Sequence, residues 1–473
     1  MSDKINDFAT ESGINSLNGE SAKKRGGFTG KIGFVLAAAG SAVGLGNLWR
    51  FPYLAAQYGG GIFVLCYIFL AVVFGFTLLM LEIAIGRNTG KSVIGAFIKL
   101  NKKFKWFGYF CVVVPIIIVP YYCVIGGWVV KYIWAFLIGD SALLNATNAE
   151  DTHLFFSSFI SNPWQPLVFF LIFAVIAVVI IAFGVQKGIE KMSKIMMPIL
   201  AILAVFLMVY VMCQPGALEG VGYFLLPDFS KFSFKTVLGA LGQLFYSMSL
   251  AMCIMITYGS YMKKEVKIPS SSAQIAIFDS GFAIVAGLII IPAIFAFSAD
   301  PNAVLSSQGP SLMFEQLTLV FNNIPGGRIV GIIFFVLVFF AALTSSISLV
   351  EAIVAVLCED GRMKRVTACC IVFGVIIVLG VLSSLGNGVL SNIKIGDKGI
   401  LDMFDFLANN ILMPIIAIIT CVFAGYFIDK EIIPKEIGID KKPWAKTYFN
   451  IIIKYVAPIC ILAILVSGLF VSF

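Results

Sequence analysis

Apolar windows of roughly 20 residues, the length that crosses a bilayer as a helix, recur about eleven times along this 473-residue chain. They lie near residues 32–54, 61–85, 107–138, 166–184, 193–213, 236–261, 272–298, 326–357, 366–385, 399–427 and 449–472. Hydrocarbon cannot solvate backbone N–H and C=O groups, so runs of this length must satisfy their own backbone as spanning helices. The expected fold class is an all-α polytopic membrane protein with about eleven transmembrane helices. A composition of 60% hydrophobic and 12% charged residues excludes a soluble globule, which carries about 45–50% and 25% respectively.

The first window works against its own helix. It reads AGSAVGLGNLWRFP from Ala39 to Pro52, and Gly40, Gly44 and Gly46 each cost roughly 1 kcal/mol of helix propensity relative to Ala. Ser41 and Asn47 bring polar side chains to membrane depth. Irregular backbone survives there only where it lines a cavity or holds a ligand, so a broken span points to a transport site. Gly40 and Gly44 also fit small-x-x-x-small helix packing, and that motif alone leaves the two readings balanced.

Orientation follows from the Lys and Arg residues, because short basic loops stay in the cytoplasm. Lys23, Lys24, Arg25 and Lys31 precede the first window, and Lys99, Lys102, Lys103 and Lys105 follow the second. Basic groups also follow the fourth, sixth, eighth and tenth, while the alternate loops are poorer in positive charge. The chain is expected to be multi-pass in the inner (plasma) membrane, with a cytoplasmic amino terminus and an extracytoplasmic carboxyl terminus. Its net charge of +8 is then a topology signal and no sign of nucleic-acid binding. Residues 1–24 are polar without an apolar signal-peptide core and read as a disordered tail before a single transmembrane domain over 25–473.

Ten cysteines, no C-x-x-C pair and a single His, His153, argue against Cys/His metal clusters. They argue equally against Ser/His/Asp or Cys/His catalysis, and the chain is not expected to be an enzyme. Buried polarity instead collects at five places: the Gly40 to Asn47 break; Gln243, Ser247 and Ser249 in the sixth window; Asp279, roughly two turns into the seventh helix; Thr344, Ser345, Ser346 and Ser348 in the eighth; and Glu82 in the second. Intramembrane polar groups are costly and are functional candidates by default. Ser and Thr can simply bond back to their own helix, and Glu82 can snorkel to the inner surface. Asp279 is harder to place, because no Lys or Arg lies at its depth nearby in the sequence. A sodium ion, with its preference for hard oxygen ligands, would supply the missing charge.

AGSAVGLGNLWRFPYLAAQYGGGIF, the sixth-window GQLFYSMSL, TYGSY at Thr257 to Tyr261 and ALTSSIS in the eighth resemble the neurotransmitter:sodium symporter family, in its bacterial amino-acid-transporting branch. The match runs in order from about Arg25 to at least the tenth window. The resemblance implies a LeuT-like five-plus-five inverted repeat, over about 25–213 and 235–427, with an extra helix at about 449–472 and unwound first and sixth helices. It also implies sodium-coupled symport, with two sodium ions bound. The first would meet the Ala42 carbonyl, Asn47, Ser247, Asp279 and the substrate carboxylate. The second would meet carbonyls of Gly40, Val43 and Ala341 and hydroxyls of Thr344 and Ser345. Substrate would rest against Ser41, Ala42, Leu45, Gly46, Ile118, Tyr122, Tyr246, Ser247, Ser249, Met252, Ser345 and Leu349, with Tyr122 of PYYCVIGGW and Tyr246 as its lid. Arg50 would pair with Asp405 as the outer gate. Arg25 would pair with Glu359 or Asp360 as the inner one, braced by Tyr261 and Glu351.

Departures from the family pattern refine this. Gly44 stands where monoamine carriers have Asp, which leaves room for a substrate carboxylate. Asp279, beside the chloride-site matches Tyr67, Gln243 and Ser247, stands where chloride-dependent relatives are neutral, so a fixed carboxylate would replace chloride, with proton exchange open if it protonates. Ala251 and Cys253 stand where relatives often carry Gly, expected to narrow the cavity or tighten the sixth-span break. Met252, Ile118 and Leu349 favour a neutral, hydrophobic or aromatic amino acid. A sodium-independent permease of the same fold is the alternative, and a channel a remote one; oligomeric state and ion stoichiometry are left open.

Overall fold

The computed structural model describes residues 26–470 apart from 299–300, 302–303, 305–309 and 325. Among these the only β pairing is two isolated bridges, Gly60 to Pro227 and Ile395 to Lys398. Nine helices are long and apolar enough to cross a membrane: Gly61–Thr89, Lys102–Ile138, Gln165–Ala182, Val185–Met212, Ile268–Phe297, Gly327–Leu357, Arg365–Leu385, Ile400–Phe427 and Pro443–Gly468. They coincide with nine of the eleven expected windows, as spans 2 to 5 and 7 to 11. The two windows they leave out are interrupted. Span 1 is the pair Lys31–Ala42 and Gly46–Gln57, bent by 52°. Span 6 is Phe234–Ser247 and Ile254–Ser260, with residues 248–253 between them. By length and composition the count is therefore nine, or ten with the bent pair. The eleventh is missing from it because neither half of span 6 is long enough to cross alone.

Span 3 packs along span 8, with spans 4 and 9 beside it, and the inner half of span 1 lies against spans 5, 7 and 8. The inner half of span 6 packs on span 2 through glycine. A Cβ on Gly86 would fall 1.9 Å from the Ile256 carbonyl oxygen, and one on Gly259 would fall 2.5 Å from that of Ile83. The seventh helix starts at Ile268, earlier than its apolar window, because Ser270 to Ser272 continue the helix despite their polarity. Asp279 therefore lies about three turns in, and not two.

At the end of the bundle where span 2 finishes, the short helix Ile432–Ile437, between spans 10 and 11, is held by Glu436. Its carboxylate accepts bonds from Arg87 Nε at 2.6 Å, Lys264 Nζ at 2.8 and 3.0 Å and Asn88 Nδ2 at 3.3 Å. One residue thus joins the end of span 2 to two loops. Burial alone would raise the pKa of this carboxyl, but hydrogen bonds from Lys264 and Arg87 outweigh burial and hold it below the usual value. A carboxylate depressed in the fold adds stability above its unfolded pKa, near 4.3, and that stability is lost as pH falls through the folded value. Glu436→Gln is expected to melt earlier than the wild type at about pH 7 and to lose less on acidification to about pH 4. Melting curves that coincide at both pH values would remove this role.

Candidate functional site

The break in span 1 redirects amides that a continuous helix would keep. Gly44 N, whose helical acceptor would be the Gly40 carbonyl, donates instead to Asn47 Oδ1 at 3.1 Å. Leu45 N, which would reach Ser41, donates to Tyr122 Oη at 3.2 Å. The Ser41 carbonyl is released and accepts Ser249 Oγ at 3.0 Å and Ser345 Oγ at 3.0 Å. Spans 1, 6 and 8 are thereby joined through one main-chain oxygen. Gly44 is required by close approach, since a Cβ there would lie 2.7 Å from Ser345 Oγ and 3.0 Å from Tyr122 Oη.

Below Asn47 lies the fully buried carboxylate of Asp279. Asn47 Nδ2 donates to Asp279 Oδ1 at 2.8 Å, Ser247 Oγ donates to the same oxygen at 2.6 Å, and Tyr67 Oη donates to Oδ2 at 3.0 Å. No Lys or Arg forms an ion pair with Asp279 among the described residues. The four side chains come from spans 1, 2, 6 and 7. Gln243 stands apart from this cluster, because its Nε2 donates to the Gly46 carbonyl at 3.0 Å while its Oε1 is buried without a partner.

Around the hydroxyls of span 8, Thr344 Oγ1 donates to the Phe340 carbonyl at 3.0 Å and to that of Ala341 at 3.1 Å. Ser345 Oγ also reaches the Ala341 carbonyl, at 3.2 Å. Gly40 faces Thr344, where a Cβ would stand 3.3 Å from that of the threonine. Val43, at the end of the inner half-helix, is extended at ψ 98°. Gly40, Val43, Ala341, Thr344 and Ser345 thus lie along the contact of the broken span with span 8.

A small cavity of about 20 Å³ separates the two breaks. Its walls include Ser41, Ala42, Gly46, Ile118, Tyr122, Tyr246, Ser247, Ser249, Met252, Ser345 and Leu349, and additionally Gly44, Asn47 and Ile254. Leu45 does not line it; its contribution is the amide bonded to Tyr122. A larger cavity of about 470 Å³ lies beyond Tyr246 and is lined by Arg50, Asp402, Asp405, Asn409 and others.

The expected outer pairing of Arg50 with Asp405 is not formed. The Arg50 guanidinium sits over the Tyr246 ring, 5.4 Å from its centroid, and Asp405 Oδ1 accepts Asn409 Nδ2 at 2.7 Å. Both residues line the same open cavity, which keeps them apart. On the inner side Arg25 lies outside the described residues. Glu359 accepts Ser92 N at 3.0 Å and Ser92 Oγ at 2.6 Å, and Asp360 pairs with Lys91. Tyr261 Oη donates to Glu351 Oε1 at 2.7 Å, and Arg365 binds the same carboxylate. Tyr261 also anchors the chain entering span 1, accepting Phe28 N on its carbonyl at 3.2 Å.

Two further charged residues make buried contacts near the breaks, one of them, Glu82, already a candidate by its depth. Arg365 read only as loop charge, yet it neutralises the buried Glu351. Glu82 does not snorkel. It is 5% exposed, and its Oε1 accepts Ala251 N at 2.7 Å inside the span 6 break. The signal for it was its depth in an apolar run; its partner is a backbone amide that only the break sets free.

An all-helical membrane bundle in which two interrupted helices meet around a buried polar pocket is the build of a secondary transporter. Comparison with known proteins names the kind. The model of the Sodium:neurotransmitter symporter family matches residues 25–149 and 150–472, and the chain belongs to that family. It is 36% identical over 442 residues to the uncharacterized sodium-dependent transporter YhdH of Bacillus subtilis, covering 92% of this chain and 96% of that one. An uncharacterized sodium-dependent transporter of Haemophilus influenzae is 34% identical over 459 residues, 95% of this chain and 99% of that one. Among solved structures, that of MhsT in complex with L-phenylalanine is similar, with a TM-score of 0.84, 36% identity and coverage of 94% of this chain and 100% of that one. The protein is thus a sodium-dependent transporter with the LeuT-like fold.

Proposed function

We propose that this protein imports a neutral, hydrophobic or aromatic amino acid by sodium symport, through alternating access and without a need for chloride. The observation that carries the reading is the pocket between the two breaks. Its walls are neutral and largely apolar, and the carboxylate beneath it is bonded only by neutral donors, Asn47, Ser247 and Tyr67. One sodium ion would bind at the Ala42 carbonyl, Asn47, Ser247 and Asp279, with the substrate carboxylate completing the cage. A second would bind where Gly40 and Val43 meet Ala341, Thr344 and Ser345. Each hydroxyl there would turn its proton to the carbonyl it now bonds and offer a lone pair to the cation.

Asp279 would serve as the fixed anion in place of chloride, with Tyr67 and Ser247 orienting it. Tyr122 and Tyr246 would close over the substrate, and Met252 would repack around different apolar groups. Arg50 and Asp405 would approach when the outer cavity closes. Arg25, with Glu359 or Asp360, would latch the inner side against Tyr261 and Glu351. The interrupted spans stand first and sixth in chain order, in keeping with two repeats of five over about 25–213 and 235–427 within a single transporter domain. The MhsT structure holds L-phenylalanine, in keeping with a large apolar side chain. The basic loops favour a plasma-membrane protein with its amino terminus inside.

A thermal-shift screen of the proteinogenic amino acids, in sodium and in potassium, tests the reading. Large apolar amino acids are expected to raise the melting temperature in sodium alone. Equal stabilisation in potassium would overturn the coupling.

A further inference from the structure

Away from the substrate pocket, spans 3, 8 and 9 enclose a cavity of about 130 Å³. Its lining is confined to Ile, Val and Leu, among them Ile116 of span 3, Ile353 and Leu357 of span 8, and Ile371 and Val375 of span 9. Side chains of a packed interior normally close such a gap, because a void forfeits the dispersion contacts of its walls. An apolar cavity of this size stays dry and takes apolar guests. Ile371 is 45% exposed, so the cavity reaches the face of the bundle that hydrocarbon surrounds.

Two of the helices around it begin with a lysine on the cavity side. Seven and eleven residues are close to two and three whole helical turns, so Lys105, which starts its helix, shares a face with Ile116, and Lys364, directly before span 9, shares one with Ile371 and Val375. Tyr109, half exposed, lies on the Lys105 face between the lysine and the cavity. At 1.5 Å per residue Lys105 and Lys364 stand about 16 and 10 Å along their helices from the cavity. That is the depth of one leaflet, half of a hydrocarbon core about 30 Å thick. Both lysines are exposed, and neither forms an ion pair among the described residues. The acids of the turn between spans 8 and 9 are already engaged, Glu359 by Ser92 and Asp360 by Lys91.

We propose that this is a binding site for one anionic phospholipid, whose acyl chain fills the cavity and whose phosphate lies between Lys105 and Lys364. Two cations without a protein partner call for an anion, and a dry aliphatic hole at chain depth calls for a hydrocarbon tail. A phospholipid supplies both on one molecule. Tyr109 takes the position of an interfacial aromatic beside the headgroup. A zwitterionic headgroup would bring its own cation to the lysines and bind less tightly. Spans 3 and 8 also carry Ile118 and Leu349 to the substrate pocket, so the bound chain packs on helices that frame the substrate.

Native mass spectrometry of the full chain in detergent, titrated with phosphatidylglycerol or with phosphatidylcholine of the same acyl chains, reads the first lipid retained. Phosphatidylglycerol is expected to bind at least tenfold more tightly. Lys105→Gln combined with Lys364→Gln is expected to weaken it roughly thirtyfold, a factor of about five for each lysine near a membrane surface. Lys441→Gln combined with Lys442→Gln, at exposed lysines before span 11, is expected to leave it unchanged. Val375→Phe fills the cavity, spares both lysines and is expected to weaken binding at least tenfold. Equal retention of the two lipids, equal weakening by the two lysine pairs, or undiminished binding to the Phe variant overturns the site. A dimer that Val375→Phe dissociates, with no lipid retained by the unsubstituted protein, would make this face a contact between copies of the chain and overturn the site as well.

Discussion

Asn47→Ala is expected to weaken sodium and substrate binding together, each on the order of 100-fold. The carboxamide has two jobs at once. Its nitrogen donates to Asp279 Oδ1, to the Asp279 carbonyl and to Ser247 Oγ at 2.8, 3.2 and 3.1 Å, and its oxygen accepts the Gly44 amide at 3.1 Å. Alanine takes one of three side-chain donors from a buried carboxylate, leaving Ser247 and Tyr67, and strands the amide that terminates the first half-helix. Leaving a buried polar group unpaired costs about 1–3 kcal/mol and more for a charged one, so a combined loss near 3 kcal/mol is reasonable. The effect reaches the substrate because its carboxylate would complete the same cage, and coupling between two ligands is reciprocal. Isotherms for substrate at several sodium concentrations, and for sodium at several substrate concentrations, measure both halves. If substrate affinity at saturating sodium is untouched while sodium affinity falls, the substrate is not a ligand of that cage.

How far such a site can be read from sequence depends on whether its parts announce themselves locally. The first break does, because Gly40, Gly44 and Gly46 lie close together in one apolar run that also carries Ser41 and Asn47. The sixth is harder. Its left-handed residues are Ser249, Ala251 and Cys253, none of which favours that backbone, so apart from family resemblance only the polarity of Gln243, Ser247 and Ser249 marked the span. Asp279 stood out as a lone carboxylate, whereas its partner Tyr67 followed only from resemblance to a family. The partners of Glu82 and Arg365 were not legible in the sequence. The partner of Glu82 is the Ala251 amide, 169 residues away, and that of Arg365 is Glu351, in the preceding span. Charge near the end of an apolar run otherwise reads as topology or snorkelling. Length and composition alone count nine or ten spans against about eleven expected windows, since neither half of span 6 is long enough by itself.

Asp279→Asn is expected to convert transport from chloride-independent to chloride-dependent, with uptake falling at least tenfold when chloride is replaced by gluconate and returning when chloride is restored. The substitution keeps the volume and most of the hydrogen bonding. It removes the only full negative charge in a cluster that Asn47, Ser247 and Tyr67 otherwise fill with neutral donors. A sodium ion entering that cluster would then face no compensating anion, and an unpaired charge in a low-dielectric site costs several kcal/mol. The Tyr67 and Ser247 hydroxyls, released from the carboxylate, can donate to a bound chloride. Gln243 is unable to help while its Nε2 is committed to the Gly46 carbonyl, so the acquired anion site should be weaker than one with three donors, and Gln243→Ala should change chloride affinity little. Substrate flux at matched sodium, with and without chloride, decides the matter. Equal flux of the Asn variant in both anions would show that the carboxylate is not standing in for the ion. Loss of flux that chloride cannot restore would place Asp279 among the sodium ligands without the second role.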